Sequence, residues 1–141
     1  MTLTEIATTD VVRAERDTDV REILGMMDDN NVGSVVIADG DEPVGIVTDR
    51  MIAMALREAD SLDDLTAADV MTGEDELVTI ENEDTHFEAL SKMSEEGIRR
   101  LPIVDEDGAL TGIITLDDLL IVSAAELSNA SDVIEQQAGP R

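Results

Sequence analysis

The chain has 141 residues, 34 acidic and 9 basic, giving a formal net charge of −25, and it contains no cysteine. That balance argues against nucleic-acid and membrane-surface binding, since each needs a basic patch and the nine cations are scattered along the chain. Disulfides and thiolate metal sites are excluded together with the cysteines.

The chain opens with Ile6-Ala7-Thr8, which leads into Val11-Val12, a β-branched pair read as a short strand. Val20, Ile23, Leu24 and Met27 follow at i, i+3, i+4 and i+7, the apolar stripe of a helix ending near Asn30-Asn31. Ser34–Ala38 and Pro43–Thr48 are predicted strands joined by a turn at Asp39-Gly40-Asp41, and a second helix starts after Thr48. The polar stretch Asp60–Asp69 is a connector. Beyond it the order recurs. Val70-Met71-Thr72 leads, Leu77–Ile80 is a strand, and His86, Ala89, Leu90 and Met93 form the helical stripe, which stops at Gly97. Arg100–Val104 and Leu110–Thr115 are strands around the turn Asp105–Gly108, with a helix after Thr115 that the tail prolongs to about Glu135. Gln136–Arg141 is expected to fray.

One constant shift lays Val12–Asp39 on Val78–Asp105 without a gap. A single extra residue in the second turn then brings Gly45-Ile-Val-Thr48 onto Gly112-Ile-Ile-Thr115. The repeated unit is β-α-β-β-α, an α/β arrangement. At roughly 60 residues each half is near the lower limit for independent folding, so a shared core is predicted. With 43% hydrophobic residues and a single aromatic, Phe87, that core must rest on Val, Ile, Leu, Met and Ala.

No apolar run approaches the roughly 18 residues of a membrane span, and Met1–Asp10 lacks the pattern of a secretory signal. The expectation is a soluble, cytoplasmic protein. Acidic residues occur in every surface segment, and Lys92 is the sole lysine. This looks like adaptation to the high-salt cytosol of a halophilic archaeon, where charge repulsion is screened over about 3 Å at 1 M salt. An acidic protein from a low-salt cell is the alternative.

Gly97-Ile-Arg-Arg-Leu-Pro-Ile-Val-Asp105, then Gly112-Ile-Ile-Thr-Leu-Asp-Asp-Leu119, with Val70-Met-Thr72 ahead of them, carry a family resemblance. From about Thr2 to Val122 the chain resembles a stand-alone tandem pair of CBS domains, the modules named after cystathionine β-synthase. The resemblance implies unit 1 over 1–59, a connector over 60–69, unit 2 over 70–124, and a helix extension and frayed tail over 125–141. It implies two units packed sheet against sheet with pseudo-two-fold symmetry, leaving two clefts for adenosine-type ligands such as AMP, ADP, ATP or S-adenosylmethionine. It implies a regulatory, non-enzymatic role, a homodimer formed through helices, and an unidentified effector protein. No obligatory cofactor and no metal are expected, and a dimerising adaptor that binds no ligand is the alternative.

The family's pattern G-h-h-T-x-x-D (h, hydrophobic) falls on Thr115 and Asp118, and the strand before it places Ile98, Arg99, Arg100, Leu101 and Pro102 in the same, second cleft. A carboxylate can accept both vicinal hydroxyls of a ribose, and a threonine at a helix start sits where backbone amides favour phosphate. Thr115-Leu-Asp-Asp118 is equally an S/T-x-x-acid helix cap. The first repeat departs from the pattern, because Met51 stands where the aspartate would fall. The first cleft, with Thr48, Ser34 and Val35, is therefore expected to be the weaker, and Thr48 to act at least as a cap. Asp49 lies about 200° around the helix from Asp118's counterpart and is not expected to replace it. Adjacent strand residues face opposite ways, so at most one of Arg99 and Arg100 is expected to enter a cleft.

The remaining candidates read as structure. His86 lies on an apolar stripe without a second histidine. Asp28-Asp29, Asp63-Asp64 and Glu95-Glu96 read as solvated faces, and the helical methionines as core filling. Phe87 lies off its stripe and is a candidate contact surface. A metal-dependent hydrolase built on the acidic clusters would lack a nucleophile motif, a histidine pair and a phosphate loop.

Overall fold

The computed structural model describes residues 2–137. The first half comprises a short helix α1 (Leu3–Ile6), strand β1 (Arg13–Ala14), helix α2 (Val20–Asn30), strands β2 (Ser34–Asp39) and β3 (Glu42–Thr48), and helix α3 (Asp49–Ala55). The second half repeats the order as α4 (Ala67–Val70), β4 (Ile80–Glu81), α5 (His86–Glu96), β5 (Arg100–Val104), β6 (Leu110–Thr115) and α6 (Leu116–Gln137). Positions 138–141, part of the predicted fraying tail, lie outside the described residues.

Each half builds one three-stranded sheet, β1-β2-β3 or β4-β5-β6, with a parallel first pair and an antiparallel second pair. The fold is α/β with the two units related by a pseudo-two-fold. Matching features recur at matching places. Helix α2 ends on Asn31 at φ 52° and α5 on Gly97 at φ 67°, the left-handed conformation that glycine and asparagine tolerate best. Both hairpins carry a bulge, after Ile37 and after Ile103.

Three expectations need correction. The strand predicted at Val11-Val12 forms two residues later, at Arg13–Ala14, and the one predicted at Leu77–Ile80 shortens to Ile80–Glu81. Only the Val12 carbonyl still joins the first ladder, accepting the Val36 amide at 3.0 Å; the preceding residues turn away toward the clefts. On α5, Ala89 and Met93 are buried but Leu90 is exposed, so the second stripe is narrower than the first.

The third correction concerns the core, which is not shared. Ile23, Met27, Val35, Ile37, Val47 and Ile52 pack together in the first half, while Ala89, Met93, Leu101, Ile103, Ile114 and Leu119 form a separate cluster in the second. Side chains alternate across a strand, so β2 sends Val35 and Ile37 to its own helices and Val36 to the other face. Val36 and its register partner Ile46 are buried there, and Ile46 lines a cleft together with Pro102. That second face is where the two sheets meet.

The leading segments cross between the halves. Leu3, fully buried, belongs to the second core, whereas Ala67 and Val70 belong to the first, with Leu62 and Leu65 of the connector packed against it. Thr8 forms a two-way backbone bridge with Ile113 on β6, at 3.1 and 2.9 Å. On β3, Ile46 receives the Thr72 amide at 3.2 Å and donates its own amide to the Thr72 hydroxyl at 3.1 Å. The glycine preceding each strand end makes room for this crossing. A Cβ on Gly112 would lie 3.1 Å from the Thr8 carbonyl, and one on Gly45 would lie 2.7 Å from the Met71 sulfur.

If the crossing holds the halves together, truncating its anchor should weaken the second half. Leu3→Ala is expected to lower unfolding stability by about 2–5 kcal/mol in urea titration, as for other buried leucines. A loss under about 1 kcal/mol, the range of a surface change, would contradict the exchange.

Candidate functional site

Two clefts open at the junction of the sheets, and each draws on both halves. The Thr48 cleft, of about 290 Å³, is bounded by Ile46, Thr48, Arg50 and Met51 from the first half and by Leu77, Val78, Ile98, Arg99, Arg100 and Pro102 from the second. Thr72 and Glu76 complete its wall. The Thr115 cleft, of about 210 Å³, is bounded by Ile113, Thr115 and Arg100 from the second half, and by Thr8, Asp10, Val11, Val12, Val32, Gly33 and Ser34 from the first.

This arrangement corrects the grouping of candidate residues by repeat. Ile98, Arg99 and Pro102 face Thr48 and not Thr115, while Ser34 lines the Thr115 cleft and not the Thr48 cleft. The cause is the crossing of the leading segments, which sets the start of β2 opposite β6 and the start of β5 opposite β3. Val35 and Leu101 line neither cleft, because each is fully buried in the core of its own half. Arg99 and Arg100 both line the Thr48 cleft. Strand alternation does not separate them, since β5 begins only at Arg100 and Arg99 still belongs to the turn.

The start of α6 has the geometry of a reciprocal cap. The Asp118 carboxylate accepts the Thr115 amide through Oδ2 at 3.0 Å, and the Thr115 hydroxyl accepts the Asp118 amide at 3.1 Å. Asp118 is half-buried and stands behind Thr115 without lining the cleft, its Oδ1 outside the cap. In the first half, Thr48 accepts the Met51 amide at 3.2 Å, but Met51 supplies no reciprocal acceptor and instead forms part of the cleft wall. Asp49 does not stand in for the missing carboxylate. Its amide donates to the Gly33 carbonyl at 3.2 Å, and its Oδ2 would lie 3.6 Å from a Cβ on Gly33.

Sequence reasoning missed Thr8, Thr72, Ile46, Ile113 and the pairs Val11-Val12 and Leu77-Val78 as lining residues. The available signal was that each occupies the same place in both copies, although none carries distinctive chemistry. Arg50, two residues after Thr48, gave no such signal, because the second copy has Asp117 there.

Outside the clefts, the His86 Nε2 lies 3.0 Å from a Glu126 oxygen without the alignment of a hydrogen bond. Phe87 stacks on His86 with ring centroids 4.5 Å apart and is largely exposed. Among the described residues, no three His, Asp or Glu side chains are grouped so as to hold a metal ion. No helix among them is long and apolar enough to cross a membrane.

Two crossed α/β units with clefts at their junction define a tandem-module architecture, and sequence similarity gives its family. The chain belongs to the CBS-domain family, whose model, described as CBS domain, matches residues 3–58 and 67–125. It is 38% identical over 120 residues to an uncharacterised protein from Methanopyrus kandleri, covering 84% of this chain and 60% of that protein's length. Among solved structures, it resembles a CBS domain protein from Pyrobaculum aerophilum complexed with AMP, at 25% identity and a TM-score of 0.79, over 93% of this chain and 99% of that one. It has the fold of a CBS domain pair solved with 5′-methylthioadenosine and S-adenosyl-L-methionine, at 23% identity and a TM-score of 0.79, over 89% and 98% of the two chains.

Because the two caps differ, they respond differently to loss of the threonine. Thr115→Ala removes one arm of a two-way cap and is expected to cost about 1–2 kcal/mol in thermal or urea unfolding, with Thr48→Ala costing less. Equal losses would mean that the Asp118 contact adds nothing to the helix start.

Proposed function

We propose that this CBS pair is a regulatory module that binds an adenosine-containing nucleotide, AMP, ADP, ATP or S-adenosylmethionine, in the Thr115 cleft. The observation that carries this reading is the chemistry converging there. Val11, Val12, Val32 and Ile113 form apolar walls suited to a purine, while Thr8, Ser34 and Thr115 bring hydroxyls. Asp118 stands behind Thr115 and does not line the cleft, but the oxygen it keeps outside the cap is assigned to a ribose hydroxyl seated against Thr115. The Arg100 guanidinium lines the cleft and is at hand for a phosphate. The AMP complex of the Pyrobaculum relative supports the same ligand class.

The Thr48 cleft then differs in preference, since Met51 replaces the ribose-reading carboxylate. Binding alters the packing of the halves and passes to an effector protein. A homodimer carries the signal through α6, where Leu120, Ile121 and Leu127 are exposed on the described surface. The setting is the cytoplasm of a high-salt cell, which the spread of acidic residues supports. A second reading has an observation of its own: the cap uses the Thr115 hydroxyl and one Asp118 oxygen, as a dimerising adaptor without ligand would also require.

Isothermal titration with AMP, ATP and S-adenosylmethionine separates the two readings. At least one ligand is expected to release or absorb heat, and Asp118→Ala is expected to abolish the signal. Absence of heat with all three, with Asp118→Ala costing only about 0.5–2 kcal/mol of stability, selects the adaptor. The high-salt setting has its own test. Raising KCl from about 0.1 M to about 1 M shortens the screening length from about 10 to about 3 Å and is expected to raise the melting temperature. A flat or falling melting temperature would contradict it.

A further inference from the structure

Among the described residues, Arg100 is the one that lines both clefts. Its backbone stands opposite Thr115 in the β5–β6 register, at the second cleft. Its guanidinium reaches across to the first half, where Nη2 would lie 3.3 Å from a Cβ on Gly33. A side chain on Gly33 would ask that guanidinium to shift by only a few tenths of an ångström, and the Asp49 Oδ2 would lie 3.6 Å from the same point. The repeat offers no second cation of this kind, since the counterparts of Arg99 and Arg100 in the first half are Gly33 and Ser34.

What sets Arg100 apart is its place at both clefts, not its lack of an ion pair, which Arg50 and Arg57 share among the described residues. Arg13, Arg16 and Arg21 each hold a carboxylate, Asp41, Glu74 and Asp63 respectively. Arg50 and Arg100 have no carboxylate within ion-pair distance among the described residues, and the contact of Arg99 with Asp117 is 3.9 Å with both groups exposed. Three guanidinium groups thus border the Thr48 cleft against one carboxylate on its wall, Glu76. The Thr115 cleft has Arg100 against Asp10. Arginine binds phosphate oxygens through paired N–H donors, so one guanidinium serves one such anion well and two poorly.

We propose that the Thr48 cleft is a phosphate-class anion site, built by Arg50, Arg99 and Arg100, that competes with the nucleotide cleft for Arg100. An anion held there draws the guanidinium away from the Thr115 cleft and weakens a phosphorylated ligand bound in it. A ligand without phosphate is unaffected. The proposal rests on the nucleotide reading of the Thr115 cleft and adds a regulatory input to it.

The test titrates AMP and adenosine into the full chain, with and without saturating pyrophosphate, at one fixed salt concentration. Pyrophosphate is expected to raise the Kd for AMP about ten-fold and leave that for adenosine unchanged. In the double variant Arg50→Gln/Arg99→Gln, both exposed positions away from the Thr115 cleft, the effect on AMP should disappear. An equal effect in that variant overturns the proposal, since pyrophosphate would then be displacing AMP within the Thr115 cleft. AMP binding that ignores pyrophosphate also overturns the proposal. If neither AMP nor adenosine binds, the nucleotide reading fails and the coupling falls with it.

Discussion

The structure depends on the crossing of two short segments. Ala7-Thr8 lies on β6 over Gly112, and Met71-Thr72 lies on β3 over Gly45, so that each unit's leading segment is held by the strand of the other unit. Backbone hydrogen bonds at these points are short-range and directional, which fixes how the two sheets sit against one another. The glycine of each Gly-x-x-Thr stretch accordingly has a role that local sequence does not reveal. It is small because another chain segment crosses it.

From that crossing the clefts follow. Two sheets that meet face to face leave gaps at both ends of the contact, and the crossed segments wall them. Each cleft therefore pairs the end of one unit's last strand with the start of the other unit's middle strand. Duplication makes the backbone of the two clefts alike, while substitution makes their chemistry unlike. One has Thr115 backed by Asp118 and faced by Ser34; the other has Thr48 beside Met51 and faced by two arginines. A symmetric scaffold has thus become a pair of clefts with different linings, joined at Arg100.

Most of the fold was legible because local patterns and tertiary structure agree. The i, i+3, i+4, i+7 stripe of Val20, Ile23, Leu24 and Met27 gave α2, and the turn residues gave both hairpins. The gap-free alignment of the halves gave the duplication. The single shared core was misjudged, since size alone does not say which face of a sheet its helices cover. In the site, Thr115 and Thr48 could be found because their chemistry is local. Their partners could not, because nothing in the sequence states that Ser34 belongs with Thr115 and Ile98 with Thr48. That information resides in the crossing. Likewise, alternation along a strand could not place Arg99, which lies one residue before the strand begins.

The central claim is that the nucleotide site is composite, with Thr115 from one half and Ser34 from the other. A crystal structure of the protein saturated with AMP tests it most directly. The account predicts the purine between the Val12 and Ile113 walls, with Ser34 and Thr115 both within hydrogen-bond distance of the ligand. AMP found in the Thr48 cleft, with the Thr115 cleft unfilled, would contradict it.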